Sequence, residues 1–381
     1  MIPGKSSSLL FVTPDPPTPG GTGLGMRAWA VRERLAMHHD VSLLIASTVP
    51  RSPTERLRRM IRFKARGWYP GLFAEAWDWE NPASRMSASS AALRGRADLV
   101  HAFRLAMAPC AAPHFSRVPC HLDLDESESR TRARIGALAR RNGERGLAEV
   151  LEAEAAFYRA KEREWLPRFD RIYAASALEV AALRAELPAS DIRVLPNVVS
   201  LPAEAPRPYR CGPFTLLFVG SLGYYPNHDA VRYFVRAILP MWRSRPGRDL
   251  RVVVVGSGAD RGLRRLMAAE PMIEYRGYVD DLTPIYRAAD IAIVPLRAGG
   301  GTRIKILEAF AHGLPVVATS EGAEGLDVVD GQHILIGHSP EAFANACMRL
   351  MEESDLARRL AAAARGFVAA QHTPDMLDAL D

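Results

Sequence analysis

A ten-residue run, Gly299-Gly300-Gly301-Thr302-Arg303-Ile304-Lys305-Ile306-Leu307-Glu308, carries the densest chemistry in the chain. It follows an apolar strand pattern, Asp290-Ile-Ala-Ile-Val-Pro-Leu296, and opens a helix. Three glycines let a ligand come close to the backbone. Thr302 is placed to cap the helix, so that free N–H groups and the positive end of the dipole face outward, as an anion site requires. Arg303 and Lys305 stand in the first turn, where each cation opposes the dipole by about 0.3–1 kcal/mol; a bound anion such as a diphosphate accounts for both. The plain alternative is a solvated basic turn. Glu308 lies roughly 9 Å further on at about 1.5 Å per residue, the reach from a diphosphate to a ribose. Its plain alternative is a helix-face ion pair with Lys305.

Three further turns suit close backbone approach: Gly20-Gly21-Thr22-Gly23-Leu24-Gly25, Gly220-Ser221-Leu222-Gly223 and Gly256-Ser257-Gly258. Gly21, Gly220, Ser221, Gly256 and Ser257 join Gly300, Gly301 and Thr302 as candidate backbone contacts to a nucleotide. Gly21-x-Gly23 is half a dinucleotide fingerprint, but Asp40 precedes the second strand instead of ending it, so a structural tight turn reads equally well. In the first half, His121-Leu-Asp123-Leu-Asp125 puts His121, Asp123 and Asp125 on one face of a strand. Such a set could hold a divalent cation, although a polar strand end is the commoner outcome. Asp125, last on its strand, is placed either to orient or deprotonate a hydroxyl, or to cap the next helix with Glu128 completing a capping box. His101, at the end of a strand Leu99–Phe103, is a second catalytic candidate, with a satisfied core histidine as its alternative.

Elements that would position these residues alternate along the chain, short β-branched runs with helical patterns, which predicts an α/β architecture of parallel sheets in two blocks. The first block has strands near Leu9–Thr13, Val41–Ala46, Leu99–Phe103, His121–Asp125, Ile172–Ala175 and Arg193–Leu195. The second has Thr215–Val219, Arg251–Val255, Ile273–Tyr275, Ile291–Pro295, Pro315–Ala318 and His333–Ile336. Pro196-Asn197 and the proline-rich 201–209 form an extended linker between domains at 1–200 and 201–370. Two helical patterns close the chain, the second interrupted by Gly366, His372 and Pro374, leaving residues 371–381 free to dock back on the first domain. Two doubly wound blocks facing across a cleft would gather ligands at the carboxyl ends of their strands.

A length of 381 residues with 48% hydrophobic content supports folded cores, and a net charge of +6 suits acidic ligands without singling out nucleic acid, for which no motif is present. Cys110, Cys120, Cys211 and Cys347 lack metal or redox spacing, so reduced thiols in a cytoplasmic protein are expected. No apolar run approaches the ~18 residues that span a bilayer, and no secretory leader pattern is present. Residues 51–66, basic and amphipathic, are either a solvated helix face or a peripheral contact with an anionic membrane. Glu144–Trp165 reads as a long packing or lid helix.

The second block resembles the donor half of family-four GT-B glycosyltransferases. The resemblance rests on Phe218-Val-Gly-Ser-Leu222, Tyr275-Arg-Gly-Tyr-Val279, Ala289-Asp290 and Lys305-Ile-Leu-Glu-Ala-Phe-Ala-His-Gly-Leu-Pro-Val-Val-Ala-Thr319. The first block is more loosely similar to the acceptor half through Gly20-Gly21, Asp98-Leu-Val-His-Ala102 and Leu195-Pro-Asn197. The resemblance implies a GT-B fold and transfer of a sugar from a nucleotide diphosphate to an acceptor (glycan, lipid-linked sugar or small molecule), with retention and no metal or other cofactor. It also implies that Tyr278 and Val279 hold the base through backbone groups, that Glu308 accepts ribose hydroxyls, and that Asp125 lies beside the reacting sugar. Two departures stand out: Gly300 replaces the first of two glutamates eight apart, and Tyr224-Tyr225-Pro226-Asn227 lacks the usual lysine, whose charge Arg303 and Lys305 would replace. A sugar-nucleotide epimerase and a non-catalytic nucleotide-sugar sensor are the alternatives.

Overall fold

The computed structural model describes residues 7–46, 97–203, 213–243 and 249–380. They form two compact units, Met1–Pro196 with Leu377–Asp381, and Asn197–Met376. The basic stretch 51–66, Cys211 and most of the proline-rich linker lie outside the described residues.

In the first unit, β1 (Ser7–Thr13), β2 (His39–Ile45), β3 (Leu99–Phe103), β4 (Cys120–Asp125), β5 (Arg171–Ala174) and β6 (Ile192–Val194) form a parallel sheet of order β2-β1-β3-β4-β5-β6. In the second unit, β7 (Phe214–Val219), β8 (Leu250–Val255), β9 (Ile273–Gly277), β10 (Ile291–Val294), β11 (Val316–Ala318) and β12 (Leu335–Ile336) form a parallel sheet of order β12-β11-β10-β7-β8-β9. All twelve expected strands are present with bounds shifted by at most two residues. Strands covered by helices on both faces read as unbroken apolar runs, and Val252–Val255, Ile291–Val294 and Val316–Ala318 are buried throughout. Each valine or isoleucine among them stabilises by about 1.5–3 kcal/mol on burial.

Chain order reverses between β1 and β3 in one sheet and between β7 and β10 in the other. Doubly wound sheets bind ligands at the carboxyl ends flanking such a reversal. The turn Gly20–Gly25 follows β1, and the turns at Gly220 and Gly299 follow β7 and β10. At the opposite ends of these pairs, matched carboxylates set the register. Asp98 accepts from the Ser8 N–H and hydroxyl at 2.8 Å, and Asp290 accepts from the Thr215 N–H at 2.7 Å.

Helices start where side chains cap them: Thr22 receives the Gly25 N–H, Ser176 that of Glu179 and Ser339 that of Ala342. The expected long helix runs Arg145–Trp165 and packs on Glu128–Arg141, where Gly136 admits the Leu151 side chain. Gly366 does not interrupt the last helix, which continues from Ser354 to Gln371. One glycine costs about 1 kcal/mol against alanine, less than the burial of Leu360, Ala364, Phe367 and Val368 on the same helix supplies. Beyond it, Leu377–Asp381 lies with the first unit, where Asp378 pairs with Arg34 at 2.7 Å.

Candidate functional site

Three turns of the second unit interlock through their backbones. Gly220 N–H donates to Val255 O at 2.9 Å, Leu222 N–H to Ser257 O at 2.7 Å and Gly256 N–H to Gly277 O at 2.7 Å. Gly256, at φ +142°, presses on the Gly220 carbonyl so closely that no Cβ fits, and a Cβ on Gly258 would stand 2.6 Å from Gly223 N. Glycine at 256 and 258 is thus required by the contact between β7 and β8 turns themselves. Ser221 and Ser257 sit on these turns, the Ser257 carbonyl taken by Leu222 as above and the Ser221 carbonyl accepting from the Asn227 amide at 2.9 Å.

The glycine run leaves β10 with Gly299 at φ +137° and Gly301 at φ +63°. Its helix spans Ile304–Ala311, and the N-cap position falls on Arg303, not Thr302 as expected. Thr302 is occupied elsewhere: its hydroxyl receives the Asn197 amide at 2.5 Å. Arg303 does not stand outward either. Its guanidinium folds back to donate to Gly300 O, to Gly301 O at 2.9 Å and to Glu321 O at 3.3 Å, which braces the run against the strand-to-helix turn after β11. Arg303 is 8% exposed, so a solvated basic turn is excluded for it.

Lys305 takes a different course. Its Nζ lies 4.6 Å from the Phe218 ring centroid, donates to Asn227 Oδ1 at 2.7 Å and comes so near the β7 turn that a Cβ on Gly220 would stand 2.6 Å from it. Burial pulls its pKa down to about 7, Arg303 acting in the same sense and Glu308 against it. One helical turn on, Glu308 accepts from Tyr286 Oη at 3.3 Å, and the Tyr286 ring stacks on His312 at 4.7 Å. Burial pushes the Glu308 carboxyl up to about 7, while the tyrosine and Lys305 work in the opposite direction. No carboxylate of a described residue lies within ion-pair distance of Lys305, so the expected helix-face alternative of a Lys305–Glu308 salt bridge is absent there.

Helix Tyr225–Tyr233, where the resemblance expects a lysine, holds the glycine run from both sides. Asn227 holds Lys305, while fully buried Asp229 receives two hydrogen bonds from Arg297, at 2.6 and 2.9 Å, just before Ala298-Gly299. Asn227, Asp229, Arg297 and Tyr286 were not among the expected site residues; Asn227 alone had a signal, its place in the segment that departs from the family pattern. Tyr278 is 62% exposed at the end of β9, with Val279 packed on the core beside it.

In the first unit Asp125 sits at φ +64°, and Arg104, directly after β3, at φ +73°. Two non-glycine residues held in the left-handed region face each other across adjacent strand ends, with Arg104 Nη1 3.2 Å from Asp125 Oδ2. Such backbones cost about 1–3 kcal/mol each and persist where surrounding contacts over-determine them. Here Arg104 also pairs with Glu126 and Glu128, and Arg27 lies 3.6 Å from Asp125 Oδ1. Asp125 is not the helix cap: Ser127 is, receiving the Arg130 N–H, with Glu162 of the long helix accepting from Ser127 and Ser129. Asp123 is completely buried and closed on Arg27 by bonds of 2.8 and 3.0 Å, and a bulge between Asp123 and Asp125 breaks the strand alternation. That geometry dissolves the expected three-ligand face, and no group of three or more metal-binding side chains occurs among the described residues.

His101 is corrected on two counts. It lies in the middle of β3, not at its end, and it is wholly buried with neither ring nitrogen hydrogen-bonded, so it is not a satisfied core histidine. Its ring stacks on Phe11 at 5.4 Å, and burial, then the charges of His121 and Arg27, hold its pKa well below the usual value. The imidazole is enclosed between the Phe11 and Tyr173 rings. Gly21, at φ +103°, ends the turn before the Thr22 cap, with open space where a Cβ would go.

Residues 213–353 match the family described as glycosyl transferases group 1. Among curated proteins, the D-inositol 3-phosphate glycosyltransferase of Corynebacterium glutamicum is 31% identical over 155 residues, covering 38% of this chain and 36% of that protein. Its counterpart in Nocardia farcinica is 34% identical over 156 residues, 38% of this chain and 34% of that one. The matched stretch therefore spans about a third of the length of these relatives. Among solved structures, sucrose-phosphate synthase of Thermosynechococcus elongatus superposes with a TM-score of 0.67 at 15% identity over 97% of this chain and 96% of that one. HepE of Anabaena, solved with UDP and glucose, gives 0.63 at 14% identity over 98% of each chain. Within the described residues no helix is long and apolar enough to cross a membrane. Residues 213–353 of the second unit are thus similar to group 1 glycosyl transferases, in a chain of the GT-B fold.

Proposed function

We propose that this protein is a glycosyltransferase that moves a hexosyl group from a nucleoside diphosphate sugar to an acceptor hydroxyl, with retention of configuration and without a metal ion. The observation that carries the reading is Lys305 and Glu308 on one helix face, below three glycine turns at the β7/β10 reversal. A nucleoside diphosphate fits that spacing. Lys305 would meet the diphosphate at Gly220 and offset the charge that grows on it as the sugar leaves, the role a metal ion plays elsewhere. Arg303 holds the carbonyls of the run inward, so that the N–H groups of Gly300 and Gly301 remain for the donor. Glu308 would accept two ribose hydroxyls, and Tyr278 with Val279 would meet the base through the backbone. In the first unit Asp125, kept in place by Arg104 and Arg27, would orient or deprotonate the acceptor hydroxyl.

HepE was solved with UDP and with UDP-glucose, which favours a UDP-sugar as donor. The relatives named for D-inositol 3-phosphate favour a small polyol or its phosphate among the acceptors to be tried first. The decisive experiment incubates the protein with UDP-, GDP- and dTDP-sugars, with and without EDTA, and follows the products. Slow release of free sugar that EDTA does not abolish supports transfer. Interconverted nucleotide sugar would mean an epimerase, and binding without turnover a sensor.

A further inference from the structure

We infer that Asn227 is the positioning residue for the diphosphate, a neutral tether that fixes the Lys305 ammonium on the β7 turn and leaves its charge for the donor; this rests on the nucleotide-sugar reading above. Asn227 is 8% exposed and uses its amide on two sides. Nδ2 donates to Ser221 O at 2.9 Å, and Oδ1 accepts from Lys305 Nζ at 2.7 Å. One side chain thereby joins the turn after β7 to the helix after β10, across the chain reversal of the sheet. A Cβ on Gly220 would stand 2.6 Å from Lys305 Nζ and 2.9 Å from Asn227 Nδ2, so the ammonium is held within a methyl group's width of the turn.

The neutrality of the tether is the point. Aspartate has the same shape and would accept from Lys305, but it would cancel the charge and could not donate to Ser221 O. A half-buried ammonium fastened by an amide, with the Phe218 ring beneath it and no carboxylate in ion-pair contact among the described residues, offers a positive charge that no side chain cancels and a dianion can use. Ionic hydrogen bonds to phosphate are about twice as strong as neutral ones, so both position and charge of this ammonium matter.

Affinities for UDP and uridine, and for GDP and guanosine, measured by calorimetry on the full chain, test this. Asn227→Asp should weaken the diphosphate of the matching base about tenfold or more and leave its nucleoside unchanged, which also shows that the variant is folded. Asn227→Ala, adding no charge, should lose less, again only for the diphosphate. In a Lys305→Gln background Asn227→Ala should cause no further loss, because the tether then has nothing to hold. Unchanged diphosphate affinity in Asn227→Asp, or an equal loss from Asn227→Ala with and without Lys305, would overturn the inference while the nucleotide-sugar reading stands. Absence of any nucleoside diphosphate binding by the unaltered protein would overturn both.

Discussion

Lys305 and Glu308 have opposite charges to lose and come to the same point: burial leaves both titrating at about 7. Donor binding needs the lysine protonated and the glutamate ionised, so affinity for the nucleoside diphosphate should peak near neutral pH and fall on both sides. Glu308→Gln should remove the acid limb and weaken donor binding by about 1.5 kcal/mol, since an ionised acceptor is exchanged for a neutral one. Affinity unchanged across the pH range would assign Glu308 to its tyrosine alone. Stability of the ligand-free protein follows the same groups. Glu308 is raised from 4.5, so its contribution is present below that pH and lost as pH rises through about 7. Lys305 is lowered from 10.5, so its contribution is present above that pH and lost as pH falls through about 7. Lys305→Met should therefore flatten the rise in stability between pH 7 and 10.5, as measured by denaturant unfolding of the two proteins side by side.

At the scale of elements, the turns after β7, β8 and β10 act as one piece because their backbones touch. Gly256→Ala brings a Cβ into the Gly220 carbonyl from a φ that alanine adopts only under strain, and should cost several kcal/mol, at least the ~1–3 of the backbone strain alone. Gly366→Ala, in the exposed middle of a helix, should instead stabilise by about 0.4–1 kcal/mol. Thermal unfolding of the two variants gives the comparison, and equal melting points would refute the backbone argument. At the ends of β3 and β4 the ion pair of Arg104 and Asp125 joins two residues held at positive φ. Asp125→Asn should lower turnover by roughly 10²–10⁴-fold with donor affinity retained if the carboxylate serves the acceptor hydroxyl. Full turnover with a lowered melting temperature would reduce it to a partner of Arg104.

For the molecule as a whole, the donor contacts proposed here all belong to one unit, Asn197–Met376. Adding UDP at about 100 times its dissociation constant should raise stability by about 2.7 kcal/mol. Hydrogen exchange should locate the protection at 299–303, where the Gly300 and Gly301 N–H groups are proposed to meet the ligand, and at the adjoining turns 220–223 and 256–258. Protection confined to the first unit would place the nucleotide elsewhere.

Periodicity alone determined the twelve strands, because strands buried on both faces must be apolar along their length. The positions of the glycine turns were equally legible, since backbone contacts such as that between Gly256 and Gly220 admit no other residue. Side-chain direction was not. Spacing placed Arg303 and Lys305 on one anion, but a guanidinium beside bare carbonyls satisfies them first, while Lys305, two residues on and so on another side of the helix, finds Asn227, 78 residues away. Nor could alternation foresee that Arg27 would take Asp123, that a bulge would turn Asp125 toward Arg104, or that His101 would be enclosed by Phe11 and Tyr173. Each of those outcomes is a competition among partners distant in sequence, and only the folded sheet decides which partner is near enough to win.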